Sequence, residues 1–494
     1  MNVSLRQALP LCWVLGLVLP VSAMALQLTD FTEFQGRVAG SPAKEMLTTA
    51  AESELAPCAA ALPQRPLTLL DVVEQALCNS PRSAEAWSIA KAQAAQVAVQ
   101  KSNYLPRINV TAGTAKVRNH VENSLFSSLD QDNNITNRTA SLRLSWLLAD
   151  LGQRSAKLGQ AQALLNAANA AHDAALQEVF ITAAQAYFDN LTTQVTLTAF
   201  EDAESLAKES LAAATAKFKA GVGLLTDQLQ AQTAYAQARL DRIKAEGDLR
   251  NAHGTLSAAM GLMANTPFQL LKRSQPLEQA DFINRVDVLI QQALESHPAI
   301  LAAKSKVQAA EENMKAVRAE GLPTLNLNTE LSRSDQMGYQ QLANFPASSV
   351  YSTTATVGLQ LNMPLFEGFS RSYQMQSAEA ERQTRVAELN RIMQQVSLEV
   401  WKSYHALMSE RENLRATEEL VRHAQEAFQV AQGRYQAGVG NMIELLGAQN
   451  ALSSARQQHI KSLAALRAAR LKLAANMGNV GLWAIVEPLN INGR

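Results

Sequence analysis

Residues 105–112 read Leu105-Pro106-Arg107-Ile108-Asn109-Val110-Thr111-Ala112, and 217 positions later the chain reads Leu322-Pro323-Thr324-Leu325-Asn326-Leu327-Asn328-Thr329. In both stretches a proline follows a helix-compatible segment and disfavours helix at the residue before it. A period-two alternation then begins. Ile108, Val110 and Ala112 fall on one face and Asn109 and Thr111 on the other, while Leu325 and Leu327 oppose Asn326 and Asn328. Strands with one apolar and one polar face suit either a soluble sandwich or a lipid-facing barrel.

The same offset holds across most of the chain, which is the mark of an internal repeat. It superposes Ala76-Leu77 on Ala293-Leu294, Pro81 on Pro298, Leu144 on Leu361 and Leu148 on Leu365. Further along it superposes Arg154 on Arg371, Tyr187 on Tyr404, Gly221 and Gly223 on Gly438 and Gly440, and Gly261 on Gly478. Duplication explains one offset held over so many landmarks. The two repeats are expected at 66–265 and 283–480, flanked by an extension at 26–65 and a tail at 481–494.

Each repeat opens with a short amphipathic helix, about 68–79 and 284–296, ending at an Asn/Ser/His-Pro turn. A second helix runs to about 104 or 320. Strands follow at about 107–118 and 139–148, and again at 324–333 and 353–363. In the return strands Leu142, Leu144 and Trp146 share one face, as do Val357, Leu359, Leu361 and Met363. The polar segments 119–138 and 333–352 read as long hairpin loops.

From about 150 to 218 and from 367 to 435 there is no proline, and alanine, glutamine, leucine and glutamate dominate. A continuous helix of that length would extend about 100 Å. Each ends at a glycine pair followed by another helical run, which gives two long antiparallel hairpins. Leu158, Leu165, Val179 and Ala186 recur at multiples of seven, interrupted by His172 and Thr193. Met375, Leu389, Val396 and Ser403 match them, interrupted by Arg382. Seven-residue spacing supports coiled-coil packing, and His172 reads as a seam or solvated-face residue.

Lysine plus arginine number 44, as do aspartate plus glutamate, so no basic nucleic-acid surface is implied. Arg6 precedes an apolar run from Leu9 to Val21, and both Val21-Ser22-Ala23 and Ala23-Met24-Ala25 offer cleavage sites. Residues 1–25 are thus expected to form a cleaved secretory signal that carries off Cys12. Cys58 and Cys78 remain, and in an exported chain a structural disulfide between them is the favoured reading.

Four strands cannot close on themselves in lipid, because both edges would expose unpaired amides and carbonyls. Three chains would give twelve strands, within the range of water-filled barrels, and four chains would also close. The Ala/Gln/Ser/Thr-rich helices suit a hollow wall continuing the barrel. No nucleotide-binding loop is present, so an energy source must be a partner. No spacing of Asp, Glu or His demands acid–base or metal chemistry, so neither an enzyme nor a cofactor is implied. His297 beside Pro298 reads as a turn residue and His459 as a helix-surface residue.

Residues 66–480 resemble the TolC family of outer-membrane efflux and secretion proteins. The resemblance lies in the duplicated plan, the Leu-Pro strand entries, the strand exit Pro364-Leu365-Phe366-Glu367-Gly368, and Tyr435-Gln436-Ala437-Gly438-Val439-Gly440 followed by Glu444. It implies a homotrimer in the outer membrane, with a twelve-stranded transmembrane β-barrel continuous with a periplasmic α-helical coiled-coil barrel. It also implies a periplasmic membrane-fusion adaptor and an inner-membrane transporter as partners. Gly221, Gly223 and Asp227, with Gly438, Gly440 and Glu444, fall at turns where such proteins constrict and meet the adaptor. Ordinary solvation near a helix start accounts equally for Asp227 and Glu444. Two departures stand out. Gly447 replaces a second acidic position, and Leu147-Leu148-Ala149-Asp150-Leu151 replaces the strand exit in the first copy, which should alter the local turn.

Cys58, Leu67–Pro81 and Trp87 resemble the branch serving type I protein secretion, with an ATP-binding cassette transporter. Components of that branch export adenylate cyclase-hemolysin and related repeat-containing toxins. Small-molecule efflux is the alternative within the family, and a structural coiled-coil surface protein the alternative outside it.

Overall fold

The computed structural model describes residues 65–122, 124–125, 131–271, 285–339 and 348–478. The expected signal at 1–25, Cys58 and the tail at 481–494 lie outside the described residues, as does the extension up to residue 64. Twelve elements follow in order: α1 (Leu69–Asn79), α2 (Pro81–Ser102), β1 (Arg107–Val121), β2 (Gln131–Ala149), α3 (Gln153–Lys219), α4 (Leu225–Ala259), α5 (Val286–Ser296), α6 (Pro298–Ala319), β3 (Thr324–Tyr339), β4 (Ser348–Asn362), α7 (Ser370–Gln436) and α8 (Met442–Asn476). No described helix is long and apolar enough to cross a membrane.

The strands form one antiparallel sheet in the order β1-β2-β3-β4. Their register carries the alternation across all four strands. Ile108 pairs with Leu144, Leu144 with Thr329, and Thr329 with Val357. One step along, Asn109 pairs with Arg143, Arg143 with Glu330, and Glu330 with Thr356. One face is thus an apolar band. The other is polar and cross-linked: Thr111 meets Ser141 at 2.6 Å, and Arg143 donates to Glu330 at 3.0 Å.

The strands are longer than the alternation indicates. Most of the expected loops 119–138 and 333–352 is paired backbone, with β1 continuing to Val121 and β2 beginning at Gln131. Likewise β3 continues to Tyr339, and β4 begins at Ser348 and ends at Asn362. The ladder satisfies backbone groups whatever the side chains. Where neither face meets the lipid core, polar residues extend a strand without continuing the apolar alternation of its inner half.

The helices pack side by side as a wall. Next to the sheet the packing order is α2-α3-α6-α7, and further away it is α4-α3-α8-α7. Each 67-residue helix therefore packs on a 22-residue helix near the sheet and on a 35-residue helix beyond it. α3 has neighbours on both flanks and buries a long series of alanines, including Ala161, Ala167, Ala183 and Ala184. α7 sits at the edge and leaves Tyr373, Leu398, Trp401 and Val430 exposed. In the seam, Val179, Ala186, Val396 and Ser403 are buried, while Leu158, Leu165, Met375 and Leu389 are half-buried. His172 is a buried seam residue, its ring 5.8 Å from that of Trp87.

Two apolar clusters at mid-height are copies of each other. Val72, Ala76, Val179, Ala183, Leu256 and Met260 occupy one. Leu289, Ala293, Val396, Val400, Leu473 and Met477, each 217 positions on, occupy the other. Cys78, on the last turn of α1, is disulfide-bonded.

The two strand-to-helix exits share a pair of left-handed residues just before the helix although their sequences differ. Leu151 and Gly152 have φ of 50° and 109°, and their counterparts Gly368 and Phe369 have 59° and 63°. Both turns need two successive left-handed residues, a conformation that L side chains adopt at a cost of about 1–2 kcal/mol. Each exit places its one glycine in a different slot. The departure at Leu147–Leu151 alters the approach to the turn, β2 running through a bulge to Ala149 where β4 ends at Asn362, the counterpart of Ser145, while the strand-to-helix transition is kept.

Behind each exit an arginine ties strand to helix. Arg154 donates to the carbonyls of Leu147 at 2.7 Å and Leu148 at 3.2 Å, and to Asp150 at 3.1 Å. Its guanidinium lies 4.7 Å from the Tyr104 ring centroid. Arg371 donates instead to Glu367 at 2.8 Å and to the Val317 carbonyl at 3.1 Å.

Candidate functional site

The far ends of the long helices carry the six singled-out residues. At the end of α3, Gly221 has φ +73°. Its N–H donates to the Phe218 carbonyl, and the N–H groups of Val222 and Gly223 both donate to the Lys217 carbonyl. The end of α7 repeats this arrangement. Gly438 has φ +79°, its N–H donates to Tyr435, and the N–H groups of Val439 and Gly440 donate to Arg434. Paired bonds of this kind satisfy the last carbonyls of a helix around a left-handed residue.

The two glycines in each turn serve different physical needs. A Cβ on Gly221 or Gly438 would meet nothing within 4 Å, so the constraint there is backbone conformation alone. On Gly223 a Cβ would lie 2.9 Å from the Phe218 nitrogen, and on Gly440 3.0 Å from the Tyr435 nitrogen. There the chain folds back so closely that a side chain has no room. This second requirement has no signal in a single sequence.

Asp227 and Glu444 occupy equivalent places in the first turns of α4 and α8, but their surroundings differ. Asn441 caps α8 by accepting from the Glu444 N–H at 2.7 Å, whereas its counterpart Leu224 makes no side-chain cap. Glu444 pairs with Arg434 at 3.2 Å across its own turn, both side chains being largely exposed. Lys217, the counterpart of Arg434, reaches the other repeat instead. It donates to the Tyr435 carbonyl and lies 3.9 Å from that ring's centroid. Burial raises the Tyr435 phenol above its ordinary pKa, and the Asp227 carboxylate adds to the rise. Lys217, Tyr435 and Asp227 thus join the two turns, while Gly447 is exposed with open space above it.

Beneath the turns lies a small core of Ala214, Ala231, Phe428, Tyr435, Met442 and Leu445. Beyond them, Val222, Leu224, Val439 and Ile443 are two-thirds or more exposed, and Leu225 about half. Apolar side chains are thus left exposed at the ends of both hairpins. The turns themselves are marked in the sequence, but the apolar character of their tips and the contact of Lys217 with Tyr435 are not, because these side chains come together only after folding.

Other positions are structural. His297 caps α6, its Nδ1 accepting from the Ala299 N–H at 3.2 Å, and burial lowers its pKa. His459 is half-buried on α8, 3.5 Å from the Thr417 hydroxyl. Among the described residues no group of three His, Cys, Asp or Glu could hold a metal ion.

Comparison with known proteins agrees with this architecture. The family model described as outer membrane efflux protein matches twice, at residues 72–262 and 289–479, two spans with the same 217-residue offset. The chain is 32% identical to Protein CyaE of Bordetella pertussis, over 84% of this chain and 85% of that protein. It is 24% identical to the alkaline protease secretion protein AprF of Pseudomonas aeruginosa, over 80% of this chain and 81% of that protein. The crystal structure of the outer membrane protein VceC from Vibrio cholerae shares the fold. Its TM-score is 0.69 at 19% identity, over 83% of this chain and 96% of that one.

Three chains complete a twelve-stranded barrel in the outer membrane, each contributing its four-stranded sheet, with the helical wall extending into the periplasm. The chain belongs to the outer membrane efflux protein family, the TolC family of channels.

Proposed function

We propose that this channel is the passive outer-membrane duct of a tripartite type I secretion system. In this reading it exports a protein toxin of the calmodulin-sensitive adenylate cyclase-hemolysin type. The cargo comes from an inner-membrane ATP-binding cassette transporter through a periplasmic membrane-fusion adaptor. The observation that carries the reading is the pair of turns at Gly221–Asp227 and Gly438–Glu444. In them the polar contacts of Lys217, Tyr435, Arg434 and Glu444 lie beside an exposed apolar surface, which supports reading these turns as a constriction at the mouth of the helical wall. A constriction suits a duct that opens on demand, and the apolar tips Val222, Leu224, Val439 and Ile443 suit contact with an adaptor.

Protein cargo is favoured by the resemblance of Leu67–Pro81 and Trp87 to the secretion branch. It is also favoured by likeness, along most of the chain, to CyaE and to a relative named for alkaline protease secretion. Small-molecule efflux remains the second reading, favoured by the description of the family model itself. Deleting the gene distinguishes the two. The secretion reading expects toxin to disappear from the medium with dye and antibiotic retention unchanged. Unchanged external toxin with increased dye retention would overturn it.

A further inference from the structure

The apolar face of the sheet changes character at one level. Following the register outward from the helices, successive rows on this face are Trp146–Leu327–Leu359, Ile108–Leu144–Thr329–Val357, Val110–Leu142–Leu331–Ala355 and Ala112–Ala140–Arg333–Thr353. The next rows bring Arg138, with Asp335 and Tyr351, then Lys116, then Arg118. From the Trp146 row to the Tyr351 row is eight residues along a strand, or about 27 Å, reduced to about 21 Å by a barrel tilt near 40°. This span, bounded by Trp146 and Tyr351 and apolar through the Val110 row, approaches the apolar belt of about 25 Å in barrels of this kind. The cations begin in its outermost rows with Arg333 and Arg138, toward the outer leaflet's headgroups.

Their sidedness separates this pattern from ordinary solvated strand ends. In the rows from Ala112 outward, every Lys and Arg among the described residues is on the lipid-side face: Lys116, Arg118, Arg138 and Arg333. The duct side at the same heights carries uncharged residues such as Ala115, Val117, Ile135 and Asn137. Strand ends that simply projected into water would have no reason to keep charge off one face. Lys116 and Arg138 are diagonal neighbours across β1 and β2, and Arg138 and Arg333 across β2 and β3. Such neighbours stand about 7–8 Å apart. The acids on this face are Asp335, which pairs with Arg333 at 3.2 Å and lies opposite Arg138, and Asp132, one row beyond Arg118; the four cations outnumber them, and Lys116, Arg118 and Arg138 are exposed.

From this placement we infer that Lys116, Arg118 and Arg138 form a binding site for the phosphorylated glycolipid headgroups of the outer leaflet, the lipopolysaccharide phosphates. Arginine and lysine supply charge-assisted donors to phosphate, and the apolar band beneath them covers the acyl chains of the same molecule. Threefold assembly sets the patch around the barrel as a girdle.

The test uses the full-length trimer in detergent, titrated with purified rough-type lipopolysaccharide and read by native mass spectrometry. Parallel titrations use the same lipid after phosphatase treatment, and phosphatidylglycerol. Intact lipopolysaccharide is expected to bind well ahead of either control. Each cation near an anionic surface contributes enough that the variant Lys116→Gln/Arg118→Gln/Arg138→Gln should bind roughly a hundredfold more weakly. Arg143→Gln, on the duct face, should bind as the parent does, and the triple variant should conduct normally in planar bilayers. Arg138→Gln alone, expected to weaken binding roughly fivefold, serves if the triple variant does not trimerise. Equal affinity for the phosphatase-treated lipid would overturn the inference. So would undiminished binding by the substituted trimers.

Discussion

Arg154 and Arg371 occupy equivalent positions 217 residues apart, and replacing each with alanine should have unequal consequences. Arg154 and its partner Asp150 have side chains only 11% and 9% exposed. The guanidinium bonds two carbonyls at the end of β2, and Asp150 also accepts the Arg154 backbone N–H at 2.7 Å. Removing one member of such a buried pair leaves the other uncompensated, at about 3–5 kcal/mol. Arg371 and Glu367 are 26% and 38% exposed. Water can replace their contact, so Arg371→Ala should cost about 1–2 kcal/mol. Hydrogen exchange followed by mass spectrometry reads the difference locally. Arg154→Ala should raise opening of the β2–α3 junction, residues 147–156, by between two and four orders of magnitude. Arg371→Ala should raise opening of its own junction by about one. Equal acceleration at the two junctions would refute the reasoning from burial.

The helical turns give a second comparison. Gly221→Ala should cost about 1–2 kcal/mol through its left-handed backbone. Gly223→Ala must push against the Phe218 backbone, so it should disturb adaptor crosslinking and export more; a smaller effect than Gly221→Ala would contradict the steric account. Asp173 gives a pH prediction, since burial raises its carboxyl from 3.8 to about 6. The folded state then holds a proton that the unfolded chain has lost, so this residue's contribution falls as pH rises from about 4 to 6. With its side chain 32% exposed, the effect should be about 1–2 kcal/mol. Neighbouring His172, lowered by burial, gives the opposite slope. The measured quantity is therefore the stability difference between Asp173→Asn and wild type, expected to grow in favour of the variant toward neutral pH. Finally, peptide mapping without reductant should recover Cys78 joined to Cys58, and Cys58→Ser should lower stability by about 3 kcal/mol.

Much of the fold was legible because its elements are long and duplicated. The absence of proline through 153–219 and 370–436, with helix-forming composition, left few alternatives to 67-residue helices. Alternation at Ile108, Val110 and Ala112 marked a strand as long as one face met lipid. Beyond Thr114 that face carries Lys116 and Arg118, the contrast between faces reverses, and hydropathy no longer shows a strand that pairing still requires. Heptad spacing located the seam at Val179 and Val396. It could not show that alanines do most of the close packing on α3, because alanine is as common on exposed helix surfaces. At the turns, the left-handed glycines were legible from their setting at helix ends. The Lys217–Tyr435 contact was not, since side chains 218 positions apart share no local pattern. The close approach at Gly223 is a property of the folded path alone.

The unpaired edges of β1 and β4 also bear on how the protein reaches its membrane. A single sheet cannot enter lipid without leaving two rows of backbone groups unsatisfied, so insertion is coupled to encounter among chains. The yield of inserted channel should then depend steeply on the concentration of waiting subunits. A subunit with proline on the outward-bonding positions of β1 would occupy two sound partners without completing the ring. One bad copy in a mixed population would therefore disable far more than its own share of channels.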